Sequence, residues 1–117
     1  MAQPLHLIDL AACRGDGADH YLHNAPLLML FHGNRRIVSY EENAQLVCHH
    51  AMLAAVSLGL GATIIGLIPP VVDRSKVLRK RYGVPKENKI LAALIIGRPK
   101  YKYKKSIHRE LAGVKIV

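Results

Sequence analysis

The sequence predicts an α/β fold: a small sheet of three strands, with helices in the connections between them. Three observations carry this. Pro26-Leu-Leu-Met-Leu-Phe-His32, residues 61–68 and Ile90-Leu-Ala-Ala-Leu-Ile-Ile96 are short unbroken apolar runs of strand length. Between them lie two stretches with helix start and stop signals. The chain has 117 residues, 50% of them apolar and 21% charged, which is the composition of a single globular domain spanning 1–117.

Residues 1–24 are weakly patterned. Leu5, Leu7 and Leu10 suggest a short helix or strand, and Arg14-Gly-Asp-Gly17 reads as a turn. The first apolar run ends at Gly33-Asn34, a turn signal, and its continuous apolar character predicts that both faces of the sheet are covered. Ser39-Tyr-Glu-Glu42 has the spacing of a capping box, so a helix is expected from about residue 40 to Leu58, with Gly59 just beyond its end. That helix is apolar nearly all round, from Leu46 through Cys48, Met52 and Val56 to Leu58. It is therefore expected to be a buried central helix, and its cover to need more chain than this one supplies, most simply a twofold copy.

The β-branched run 61–68 reads as the second strand, stopped by Pro69-Pro70. Asp73 is expected to cap a short basic helix over 74–82, closed by Gly83. The third strand ends at Gly97-Arg-Pro99, and residues 98–117 form a basic tail whose end, 114–117, has the makings of an edge strand.

Charge is unevenly distributed. Residues 1–70 hold three arginines against five carboxylates, whereas 71–117 hold fourteen Lys and Arg against three carboxylates. The basic excess of the chain, +9 overall, thus lies entirely in residues 71–117, which favours a phosphate-bearing or polyanionic partner. The tail segment Lys100-Tyr-Lys-Tyr-Lys-Lys105 alternates aromatic and basic residues and offers nucleic acid as one such partner; it is too short to outweigh the other readings.

Two cysteines, Cys13 and Cys48, are too few for a disulfide scaffold, an iron–sulfur cluster or an all-cysteine zinc site. They fit a reducing compartment, and with no secretory signal evident at the start the expected location is cytoplasmic. Cys48-His49-His50 cannot converge on one metal ion, because neighbours on a helix point to different faces. Residues 43–72 carry no Asp, Glu, Lys or Arg, long enough to weigh a membrane span, but Gly59, Gly61 and Gly66 and the helix-end signals break the stretch in its middle. The glycine-rich 59–66 follows a helix instead of opening one, so it is neither a Walker loop nor a dinucleotide fingerprint. Close packing or close approach of something flat explains its glycines.

From Asp16 onwards the chain resembles the C-terminal half of the FMN-dependent nitroreductase family. The resemblance is carried by Asn24-Ala-Pro-Leu-Leu-Met-Leu-Phe-His32, Ala54-Ala-Val-Ser-Leu-Gly-Leu-Gly61, Ala62-Thr-Ile-Ile-Gly66, Gly83-Val-Pro85, Leu94-Ile-Ile-Gly-Arg-Pro-Lys100 and Tyr103-Lys-Lys-Ser-Ile-His-Arg109, in order. It implies an α+β homodimeric flavoprotein with FMN at the subunit interface. Thr63, Ile64, Ile65 and Gly66 would then run beside the isoalloxazine ring, partly through backbone groups, and Lys105 and Arg109, with Lys104 as a third, would approach the FMN phosphate. The implied chemistry is hydride transfer from NAD(P)H through FMN to a nitro group, quinone or similar small-molecule acceptor. The Arg-rich, Ser-containing motif with which the N-terminal part of the family grips phosphate and ring is not matched here. The alternative expectation is accordingly a non-catalytic binding or scaffold protein on the same fold, a shortened member, or a chain completed by another.

Overall fold

The computed structural model describes residue 19, residues 21–102 and 104–110, and residues 113 and 115. Six elements follow in order: β1 (Leu27–Asn34), α1 (Tyr40–Ser57), β2 (Gly61–Ile64), α2 (Ile68–Arg74), α3 (Lys76–Arg81) and β3 (Asn88–Gly97). The expectations for residues 1–18, and most of the 114–117 edge strand, fall outside the described residues.

The three strands form one sheet in the order β1-β3-β2, with both pairings antiparallel. The last strand in sequence therefore occupies the centre. Leu27 pairs with Ile96 at one end of β1 and Asn34 with Asn88 at the other, across an irregularity between Phe31 and His32. The bulge takes Leu91 out of register, and its carbonyl accepts a hydrogen bond from Gln45 Nε2 at 3.2 Å. On the other side of β3, Gly61 faces Gly97 and Ile64 faces Leu94.

Helices on both faces explain the unbroken apolar pattern. Ala92, Leu94 and Ile96 of β3 pack with Phe31, Ala44, Cys48 and Ala55 on the α1 side. Ile90, Ala93 and Ile95 pack with Leu22, Ile68, Val72, Leu78 and Val84 on the α2–α3 side. A strand covered on both faces has no polar side to alternate with. Leu94, Ala93, Val72 and Cys48 are completely buried.

Helix α1 starts and stops where expected, but by other means. Ser39 sits in the left-handed region at φ 59°, and its side chain makes no capping bond. The turn before it dictates this: Asn34 accepts from Arg36 N through its side chain and from Ile37 N through its carbonyl, a tight reversal that delivers Ser39 already rotated. The helix is instead opened by Asn43 N donating to the Ser39 carbonyl at 3.0 Å. At its end Gly59 takes the left-handed conformation at φ 73° that the sequence predicts.

Helix α1 packs on the sheet but is only partly covered, as expected of a helix that needs more cover than this chain supplies. Only Ala44, Cys48 and Ala55 of this helix are buried, whereas Leu46, Val47, Leu53 and Val56 are each more than half exposed. The sheet covers one stripe of the helix, and among the described residues nothing covers the rest.

The segment after β2 is corrected. The strand ends at Ile64, not residue 68, and Pro69-Pro70 does not stop it. The two prolines lie in the first turn of α2, where a missing N–H leaves no bond unmade and a fixed φ suits the helix. Asp73 is consequently inside α2, and Ser75 caps α3, its Oγ accepting from Leu78 N at 3.2 Å. Freed from capping, Asp73 becomes a staple. Its Oδ1 accepts from Arg79 Nη1 and from Ile90 N at 3.2 Å, and its Oδ2 lies 3.4 Å from Arg35 Nη2. Arg79 in turn donates through Nη2 to the carbonyls of Pro85 (2.6 Å) and Asn88 (2.7 Å). The pair fixes where the 82–87 connection delivers β3.

Candidate functional site

The sheet order leaves β2 at an edge, with one side paired to β3 and the other unpaired among the described residues. Strand pleating sends its side chains alternately to the two faces. Ala62 packs toward the α1 side and Ile65, just past the strand, toward the α2 side. Ile65 N donates to Ala93 O at 2.9 Å, which fixes the phase of the ladder. Antiparallel alternation then turns the N–H and C=O of Ala62 and Ile64 away from β3, toward open space. Thr63 and Ile64 are exposed, and a Cβ built on Gly66 meets nothing within 4 Å.

At the start of β2 lies a cleft of about 410 Å³. Its floor is Gly61, Ala62, Thr63 and the end of β3; its walls are residues 23–26 and 97–101. Both walls are built tightly. A Cβ on Gly97 would stand 3.2 Å from Pro26 Cδ, closer than side chains normally approach, so a larger residue there would need Pro26 to give by a few tenths of an ångström. Pro99 lies against Gly61, 3.6 Å from where a Cβ there would be. The 23–26 wall is held by Asp19, whose Oδ1 accepts from Leu22 N at 2.7 Å and Tyr21 N at 3.1 Å, and whose Oδ2 accepts from Asn24 N at 3.1 Å. This knot turns His23 and Asn24 into the left-handed region. Partial burial pushes the Asp19 carboxyl up, but the Leu22, Asn24 and Tyr21 amides outweigh it and hold the group below the ordinary aspartate range.

The residues expected at a binding site divide. Thr63 lines the cleft; Ile64 and Gly66 stand on the open edge beyond it. Ile65 is half-buried in the core and its N–H is committed to Ala93, so it supports the edge more than it presents itself. Lys104, Lys105 and Arg109 are exposed in the irregular segment 104–110, and none of them lines the cleft. The cations that do line it are Arg98 and Lys100, which sequence reasoning passed over. The signal was available: Gly97-Arg-Pro99 terminates the central strand, and an antiparallel neighbour starts at that point.

Cys48, His49 and His50 separate on α1, with the thiol buried and the two imidazoles exposed. Burial raises the Cys48 thiol above its usual value, so it is not a nucleophile in waiting. Among the described residues no group of three His, Cys, Asp or Glu is placed to hold a metal ion, and no helix is long and apolar enough to cross a membrane.

The sequence matches the family model of the nitroreductase family over residues 7–98. The chain belongs to the nitroreductase family. No curated protein matches it. Among solved structures, the FMN-bound nitroreductase of Bacteroides fragilis superposes with a TM-score of 0.72 at 18% identity, covering 96% of this chain and 66% of that one. An FMN-dependent nitroreductase of Clostridium difficile gives a TM-score of 0.71 at 24% identity, covering 99% and 71%. At these identities the likeness is one of fold, and this nitroreductase-family chain spans about two thirds of the length of those relatives.

Proposed function

We propose that this chain works as a flavin oxidoreductase, with FMN lying along the open edge of β2. The observation that carries the reading is that edge itself: exposed Thr63 and Ile64, the outward N–H and C=O of Ile64, and an unobstructed Gly66 beside it. A flat ring with hydrogen-bonding edges fits a strand edge, and a phosphate fits the cations beyond it. The donor set is right for the cofactor that the two structural relatives carry in their names. Bound FMN would supply the hydride chemistry, from NAD(P)H to a nitro group, quinone or similar acceptor.

The chain's own part is binding, orientation and exclusion of water. Thr63, Ile64 and Gly66 would hold the ring through backbone groups, with Ile65 anchoring the segment to Ala93. Lys105, Arg109 and Lys104 are near enough in sequence to the cleft wall to reach the phosphate end. The exposed apolar stripe of α1 would be covered by a second copy in a homodimer; a helix with four large aliphatic side chains more than half exposed is a liability unless covered.

The test is the visible spectrum of purified protein after incubation with FMN and desalting. Retained flavin bands, diminished by Lys105→Ala and Arg109→Ala, are expected, followed by NAD(P)H oxidation with an added acceptor. A colourless protein after that treatment would refute the proposal and leave the fold as a binding scaffold.

A further inference from the structure

We infer that the groove between α3 and the 82–87 connection is a nucleic-acid-binding surface, in which Lys76, Lys80 and Lys86 hold the phosphodiester backbone. The site is independent of the flavin reading. Arg79 and Pro85 of the groove bond to Asn88, the first residue of β3, whereas the cleft beside β2 lies at the other end of that strand. Ten residues of extended chain, roughly 30 Å, separate the two. The groove has a volume of about 650 Å³ and is lined by Lys76, Arg79, Lys80, Val84, Pro85 and Lys86. The sequence concentrates charge here: residues 74–86 hold six Lys and Arg and no Asp or Glu. The fold then gathers part of that charge. Lys76 and Lys80 stand four apart on α3 and so share one face of it. Gly83, at φ 66°, and Val84 N, which donates to the Arg79 carbonyl at 2.9 Å, turn the chain back, and Lys86 comes to line the same groove.

The charge of the three lysines is uncompensated. All three are exposed, and none has an ion-pair partner among the described residues. Arg79 is already spent on Asp73 and on the carbonyls of Pro85 and Asn88, so it braces the groove. Asp73 is held by Arg79, Arg35 and Ile90 N, and no carboxylate lines the groove; Glu87, next to Lys86 in sequence, lies outside the lining. The chemistry of the lining selects the ligand. Ammonium groups are compact point charges, suited to a repeating charge more than to one shaped group. Lys76 and Lys80 are separated by about one helical turn, ~5.4 Å, close to the interval between successive phosphates of one strand. An acidic protein partner fits less well, because the cores of protein interfaces are depleted in Lys and enriched in aromatic residues, and no aromatic residue lines the groove. A bilayer surface asks for apolar side chains beside the charge, and α3 exposes one large one, Val77.

The test is fluorescence anisotropy of a short, labelled, mixed-sequence single-stranded DNA titrated with the full chain at several salt concentrations. Binding that weakens as salt rises is expected. The triple variant Lys76→Gln/Lys80→Gln/Lys86→Gln should lose about tenfold or more in affinity and flatten the slope of log K against log salt by about 2, at ~0.7 per phosphate contact. Replacing the same three lysines by Arg should retain binding. The variant Lys102→Gln/Lys104→Gln/Lys105→Gln removes equal charge from the tail and should lose clearly less. Circular dichroism checks that the exposed substitutions leave the fold intact, and FMN retention should be the same in the groove variant as in the wild type. Equal losses in the two triple variants would reduce the effect to overall charge and overturn the inference, as would absence of DNA binding by the wild type. Lysine-dependent binding to phosphatidylserine vesicles or to polyglutamate without binding to DNA would also overturn it, and give the groove to a membrane or an acidic protein. A wild type that binds DNA through the groove but retains no FMN would sustain the inference and refute the flavin reading alone.

Discussion

Replacing Asp73 by Asn should cost the fold about 2–3 kcal/mol, and the size of that loss follows from how unequal its partners are. Arg79 is the substantial one. Its side chain is 15% exposed and that of Asp73 20%, so their charge-assisted bond is largely shielded from water; such bonds contribute about 1.5–3 kcal/mol. Arg35 is the minor one, with a 3.4 Å contact and a side chain 55% exposed, so Arg35→Ala should cost no more than about 0.5 kcal/mol. The Asn side chain can still accept from Ile90 N. Asp73→Ala removes that acceptor too and leaves the N–H of a residue that is 3% exposed without a partner, adding about 1–3 kcal/mol. The expected ranking is therefore Ala worse than Asn, and Asn far worse than Arg35→Ala. Urea unfolding at fixed protein concentration measures all three, since association would make apparent stability concentration-dependent. Equal losses for Asp73→Asn and Arg35→Ala, or a loss below about 0.5 kcal/mol for Asp73→Asn, would refute the account of this carboxylate as the clasp that positions β3.

Asp19 gives a pH prediction. Its carboxyl is depressed in the folded state, so its contribution to stability is complete above the ordinary aspartate pKa and is lost as pH falls through the lower folded value. Asp19→Asn should therefore flatten the acid limb of the stability curve, and an unchanged limb would count against the amide knot. In a Cys13→Ser background the remaining thiol, Cys48, is fully buried and raised by burial, so a disulfide reagent at pH 8 should label it only as fast as the protein opens. Immediate stoichiometric labelling of native protein would contradict that burial. Leu53→Glu, on the exposed side of α1, should leave the secondary structure intact and shift the protein to a smaller species in sedimentation velocity; no change in sedimentation would mean that this face does not pair copies.

Much of the fold was legible because its strongest signals are local or strictly periodic. The strand runs around Leu30 and Leu94 needed only their apolar content, and Gly59 and Gly83 needed only the steric fact that glycine enters the left-handed region freely. The misreadings share a cause: the same residue chemistry serves two neighbouring purposes. Proline after a β-branched run ends a strand or starts a helix, and Pro69-Pro70 did the second. Asp73 and Ser75 both have the chemistry of a helix cap; the one nearer Arg79 and Ile90 was claimed by tertiary contacts, which no local window contains. Ser39 had the spacing of a capping box but not the backbone, because the Asn34 turn arrives at it rotated.

The same distinction separates the part of the candidate site that could be read from the part that could not. Thr63, Ile64 and Gly66 belong to one contiguous run whose exposure follows from a single fact, that β2 is at the edge. Arg98 and Lys100 matter only through topology. Sequence order places β3 last, and a strand that comes last in a meander would be expected at an edge. Here it inserts between β1 and β2, so its final residue ends beside the first residue of β2, 36 positions earlier in the chain. That crossover converts an ordinary strand-ending Gly-Arg-Pro into a cation set against the glycine-rich floor of a cleft. It also accounts for Gly61 and Gly97 facing each other across the ladder: two segments and two proline-bearing walls converge there, and a side chain at Gly97 would press on Pro26.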